Sequence, residues 1–124
     1  MQSYLLVAAG GALGAALRYA IGEAFLQRGA SQFPYATLFI NITGCLLIAF
    51  YAGYSAGRPG LYPGFRFLFP IGFVGGYTTF STYGLELQRL LERGAPGAAA
   101  AYLVASNAFG LAAVYAGIWL GRRV

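Results

Sequence analysis

Three stretches, Tyr35 to Gly57, Phe67 to Leu85 and Gly97 to Gly121, carry no charged side chain, and a fourth, Tyr4 to Leu26, is interrupted only by Arg18 and Glu23. An α-helix needs about 20 mostly apolar residues to cross a hydrocarbon core of about 30 Å, so each stretch is long enough to span a bilayer. The chain therefore reads as an all-α membrane protein: one domain over residues 1–124 with spans near 4–26, 35–57, 67–85 and 97–121. Composition agrees, since eight Arg and three Glu are the only charges, 9% of the residues, where a soluble domain carries about a quarter. With no His and only Cys45, the chain lacks the parts for a zinc site, an internal disulfide or a His-dependent general base, which argues against hydrolytic and metalloenzyme activity. The net charge of +5 comes from scattered Arg residues with no basic stripe, which argues against nucleic acid as a partner. No positive charge precedes the first apolar run, so it is expected to stay in the mature protein rather than be cleaved as a signal peptide.

The expected connections are Gln27 to Pro34, Arg58 to Arg66 and Glu86 to Pro96, each holding the Arg, Gly or Pro that marks an interface and a helix end. Both termini then share one side. That side collects Arg58, Arg66, Arg122 and Arg123, while the other collects Arg28, Arg89 and Arg93. So small a bias gives the chain no preferred orientation, and two oppositely inserted copies can pair about an in-plane two-fold axis. The expectation is an antiparallel dual-topology homodimer. The pairs Gly10/Gly14, Gly53/Gly57, Gly72/Gly76 and Gly117/Gly121 are each four apart, a spacing that lets helix backbones approach closely and points to a tightly packed bundle.

Polar groups at membrane depth are costly and need individual reasons. Thr37 and Asn41 lie four apart on one face of the second span, and an Asn amide there serves either as an interhelical clamp or as a donor to an anion. In the third span, adjacent Gly75 and Gly76 followed by Tyr77, Thr78, Thr79, Phe80, Ser81, Thr82 and Tyr83 make a poor continuous helix, so a break is expected at mid-membrane. Freed carbonyls there would select a cation, and N–H and hydroxyl groups an anion. Phe80 and Tyr83, three apart, would face the same way, either packing or turning positive ring edges to an anion. Tyr102 and Ser106 share a face of the fourth span, and Arg18 sits where a long side chain either snorkels or enters a polar vestibule.

The combination resembles the Fluc family of small fluoride channels, also called CrcB-like proteins. The matching segments are Gly10-Gly-Ala-Leu-Gly-Ala-Ala-Leu-Arg-Tyr19, Pro34-Tyr-Ala-Thr-Leu-Phe-Ile-Asn-Ile-Thr-Gly44, Gly72-Phe-Val-Gly-Gly-Tyr-Thr-Thr-Phe-Ser-Thr-Tyr83 and, more weakly, Asn107-Ala-Phe-Gly110. The resemblance implies an antiparallel homodimer with two pores and a structural sodium ion held by the backbone carbonyls of Gly75 and Thr78. It implies a fluoride path lined by Asn41, Phe80 and Tyr83, with Thr79, Ser81, Thr82, Tyr102 and Ser106 along it and Arg18 towards a vestibule. Tyr83 departs from the Phe usual at its position, and its hydroxyl is expected either to alter the local hydration or to donate to the anion itself. The implied activity is passive export of fluoride through the plasma membrane of a bacterial or archaeal cell. A proton-coupled small multidrug-type transporter is the alternative; it needs a carboxylate deep in a span, whereas Glu23, Glu86 and Glu92 are expected near span ends. A third reading is a non-transporting assembly subunit.

Overall fold

The computed structural model describes residues 1–29, 32–58, 60 and 63–124; the rest of the first and second expected connections lies outside the described residues. Helix α1 covers Gln2–Gln27 and α2 Tyr35–Ser55. A π-helical segment, Phe67–Val74, runs into Gly75–Tyr77, and the two together form α3. Helix α4 covers Phe80–Glu92 and α5 Pro96–Arg123. Three of these, α1, α2 and α5, are long and apolar enough to cross a membrane.

The uncharged stretch 67–85 is divided. Thr78 (φ −79°, ψ 159°) and Thr79 (φ −152°, ψ 121°) are extended between α3 and α4. Two glycines weaken the end of α3, and Thr79 offers a good start for the next helix, its hydroxyl accepting from Thr82 N at 3.3 Å. Upstream, Pro70 lacks an N–H and its ring crowds the preceding turn of an α-helix; the wider π turn accommodates both defects. That wider turn also brings residues four apart nearly into line. Phe65, Phe69, Phe73 and Tyr77 form a stack with centroids 5.4, 5.8 and 5.9 Å apart and rings within 12° of parallel.

The third expected connection is corrected. Glu86 to Glu92 belong to α4, and the connection shrinks to residues 93–95, closed by Gly94 at φ +69°. Ending the span at its first charge misses an amphipathic helix: Tyr83, Leu87 and Leu90 recur at helical spacing and pack with Ala99 and Tyr102 of α5.

Glycine sets the layering. Gly10 and Gly14 of α1 lie against the backbone of Leu68, Phe73 and Tyr77, while Gly72 and Gly76 lie against Val7, Gly10 and Gly11. A Cβ at any of these would collide with main chain, so α1 and α3 meet backbone to backbone. Gly53, Gly117 and Gly121 do the same for α2 and α5, against Ile118, Leu46 and Phe50. Gly57, expected to share that role, has nothing within 4 Å of its Cβ position among the described residues. The bundle is thus two tight pairs, α1 with α3 and α2 with α5, with α4 resting on α5.

Candidate functional site

The extended residues between α3 and α4 leave backbone groups without helical partners, and side chains from other helices take up some of them. Asn41 of α2 does so twice: its Oδ1 accepts from Thr79 N at 2.9 Å and its Nδ2 donates to Thr79 O at 3.0 Å. The amide thereby pairs with Thr79 as a neighbouring strand would, which is the clamp. One Nδ2–H remains for another acceptor. Arg18 Nε donates to Gly76 O at 3.2 Å, so α1 also holds the end of α3.

Besides Gly76 O, which Arg18 takes up, this arrangement releases the carbonyls of Gly75 and Thr78. In a continuous helix Gly75 O would accept from Thr79 N and Thr78 O from Thr82 N. Here Thr79 N goes to Asn41 and Thr82 N to the Thr79 hydroxyl. The Thr79 hydroxyl also lies 3.3 Å from Ser81 Oγ and donates to Thr82 Oγ1 at 3.0 Å, so three hydroxyls gather at the start of α4.

The aromatic residues divide by burial. Phe80 is 83% exposed on the outside of the protomer, whereas Tyr83 is buried. Their centroids are 5.6 Å apart, and Tyr83 meets Tyr102 edge-on at 5.1 Å. The Tyr83 hydroxyl accepts from Asn107 Nδ2 at 3.5 Å. Tyr102 is fully buried and donates to Glu86 Oε2 at 2.8 Å. Thr37 donates to the other oxygen, Glu86 Oε1, at 2.9 Å. Ser106 Oγ is buried with no hydrogen-bond partner. Although Tyr102 and Ser106 share a face they are not linked: the first is committed to Glu86 and the second has no partner among the described residues.

Glu86 is the residue that sequence reasoning misses. Charge alone puts it in a connection near a span end; the structure puts it inside α4, joining α2 to α5 through two hydroxyls. The 83/87/90 apolar period could have extended the helix past it. The Tyr77 hydroxyl, 2.8 Å from Thr43 Oγ1, is a second polar link that has no sequence signal.

Two clefts meet at the junction. One, of about 580 Å³, is lined by Arg18, Glu23, Thr37, Thr79, Thr82, Glu86 and Arg89 among others. The other, of about 320 Å³, is lined by Asn41, Cys45, Thr78, Thr79, Phe80, Tyr83, Ser106 and Asn107 among others. Thr79 borders both. Of the site residues singled out from sequence, Gly75, Ser81 and Tyr102 line neither. Gly75 and Ser81 are exposed on the protomer, as is Phe80 at the edge of the smaller cleft. Tyr102 lies behind the cleft walls, reached through Glu86 and Tyr83.

Comparison with known proteins gives a consistent result. The family model described as CrcB-like protein, Camphor Resistance (CrcB), matches residues 5–118. A protein of Rhizobium meliloti named fluoride-specific ion channel FluC is 46% identical over 122 residues, covering 98% of both chains. A protein of the same name from Acidobacterium capsulatum is 43% identical over 99% of this chain and 98% of its own. Fluoride-specific ion channel FluC 1 of Nitrobacter hamburgensis is 48% identical over 95% of this chain and 94% of its own.

Proposed function

This chain belongs to the CrcB-like family, and from that premise we propose that it is a multi-pass membrane channel, not an enzyme, conducting fluoride passively and selectively. The observation that carries the reading is the extended pair Thr78–Thr79, where two clefts meet: the smaller is lined by hydrogen-bond donors with no charged side chain, and Arg18 stands in the larger, towards a vestibule. Fluoride is small and strongly hydrated, so a path must replace its water with compact donors while avoiding a charge that would trap it. The free Asn41 Nδ2–H, the Ser106 hydroxyl, the Ser81 and Thr82 hydroxyls and the ring edges of Phe80 and Tyr83 are such groups, while the Thr79 hydroxyl borders the path with its proton given to Thr82. Tyr102 acts one step back, holding Glu86 rather than the anion.

The exposure of Phe80 supports an assembly in which a second copy covers it, an antiparallel homodimer with the break in the third span at mid-membrane. The carbonyls of Gly75 and Thr78, both released from helical pairing, form an all-oxygen donor set that fits a sodium ion. Bound there, sodium would supply structural positive charge between the broken helices. In a plasma membrane the channel would let fluoride that entered as HF leave down its gradient.

Liposomes loaded with fluoride or chloride, with an ion-selective electrode outside, test the reading. Fluoride should leave and chloride stay, and Phe80→Ile or Asn41→Asp should slow fluoride by at least about tenfold, as expected when about 1.4 kcal/mol of barrier is added. Chloride release matching fluoride, or unchanged flux in both variants, would refute it. Sodium-free reconstitution that left fluoride flux and dimer stability intact would remove the cation from the proposal.

A further inference from the structure

The two ends of the bundle differ in net charge, although their arginine counts are nearly equal. All three carboxylates, Glu23, Glu86 and Glu92, lie at the end that holds Arg28, Arg89 and Arg93. The end that holds Arg58, Arg66, Arg122 and Arg123 has no carboxylate side chain. There Arg58 is tied down, donating to Tyr54 O at 2.9 Å and Val124 O at 2.8 Å, while Arg122 and Arg123 make no hydrogen bond among the described residues.

Those two line a shallow groove along one face of α5 with Tyr115, Ile118 and Trp119. The groove is apolar along its length and dicationic at its top. The Arg123 guanidinium stacks on the Trp119 ring at 3.7 Å, which fixes its plane and leaves its N–H edge free. Tyr115 and Trp119 are 76% and 53% exposed. At 1.5 Å per residue the 28 residues of α5 run for roughly 42 Å, more than the about 30 Å of hydrocarbon, so its last turn reaches headgroup level.

We propose that this face of α5 is a binding site for an anionic phospholipid, its phosphate on Arg122 and Arg123 and an acyl chain along Ile118, Trp119 and Tyr115. Charge and shape both select that occupant: a phosphate matches the forked donors of two guanidinium groups that have no carboxylate partner among the described residues, and the apolar floor beneath them matches a chain.

Trp119 is the sole tryptophan, which makes it the reporter. The full-length protein is reconstituted in phosphatidylcholine containing brominated phosphatidylglycerol or, at equal mole fraction, brominated phosphatidylcholine, and Trp119 quenching is followed. Brominated phosphatidylglycerol should act as if enriched about fivefold at the groove, the order expected of arginines meeting an anionic headgroup, and high salt should reduce that preference. The double variant Arg122→Gln/Arg123→Gln should quench equally with both lipids. If that variant fails to fold, the salt dependence of the wild type decides the same question. Equal quenching in the wild type would overturn the proposal. So would loss of the preference on exchanging chloride for inorganic phosphate at constant ionic strength, which would mark a site for free anions, and so would absence of quenching by either lipid, which would mean that protein covers Trp119.

Discussion

Tyr102 and Glu86 show how much a single donor decides. A carboxylate between helices is tolerable because each of its oxygens accepts a hydroxyl, from Thr37 and from Tyr102. Tyr102→Phe keeps the ring and its edge-on contact with Tyr83 but leaves Glu86 Oε2 short of a partner. A loss of about 1.5–3 kcal/mol is expected, the range for a hydrogen bond to a charged group, visible as a lower thermal midpoint in detergent. Fluoride-over-chloride discrimination should survive, because that hydroxyl proton is held by Glu86. A variant that kept its stability and lost discrimination would put Tyr102 in direct contact with the anion instead. None of this is legible from the sequence, where Tyr102 and Ser106 stand as a pair four apart; spacing places residues on a face and is silent on which acceptor each finds.

Among the elements, glycine's lack of a side chain is what lets α1 lie on α3. A Cβ at position 14 would run into the carbonyl of Phe73 and the N–H of Tyr77, both main-chain atoms that cannot swing aside. Gly14→Ala is expected to cost about 1–3 kcal/mol or more from overpacking, read as loss of monodisperse protein on size-exclusion chromatography and a lower melting point. Gly22→Ala, with nothing within 4 Å, is the control and should be neutral or slightly stabilising through better helix propensity. Equal effects at the two sites would mean that close packing of α1 on α3 is not what the glycine supplies. The four-residue glycine spacing is readable in advance, but which glycines are in contact is not: Gly53 touches α5, whereas Gly57 meets nothing among the described residues. The end of the third span escapes the sequence for a related reason, since a charge ends a lipid-facing helix but not one whose carboxylate is bonded by neighbouring helices.

At the level of the whole molecule, arginines are shared almost evenly between the two ends, four against three, and by the positive-inside rule so small an excess predicts insertion both ways. A reporter fused to the C-terminus should therefore be found on both faces of the membrane in comparable amounts. Adding two lysines beside Arg123 should push it predominantly to the cytoplasmic face and lower fluoride flux by removing the opposite orientation. A reporter found on one face only in the unaltered chain would exclude the antiparallel dimer. The sequence by itself determined the solvent, the helical class, the near balance of charge and the family, because apolar length, the scarcity of ionisable groups and a run of local motifs are properties of the chain read in order. Only the tertiary structure decided that Asn41 clamps Thr79 from both sides, that Arg18 holds the Gly76 carbonyl, that Glu86 joins two helices and that Phe80 faces outwards. Each of those depends on a partner far along the chain or on a surface left uncovered, and such pairings are fixed by how helices cross, which local spacing does not encode.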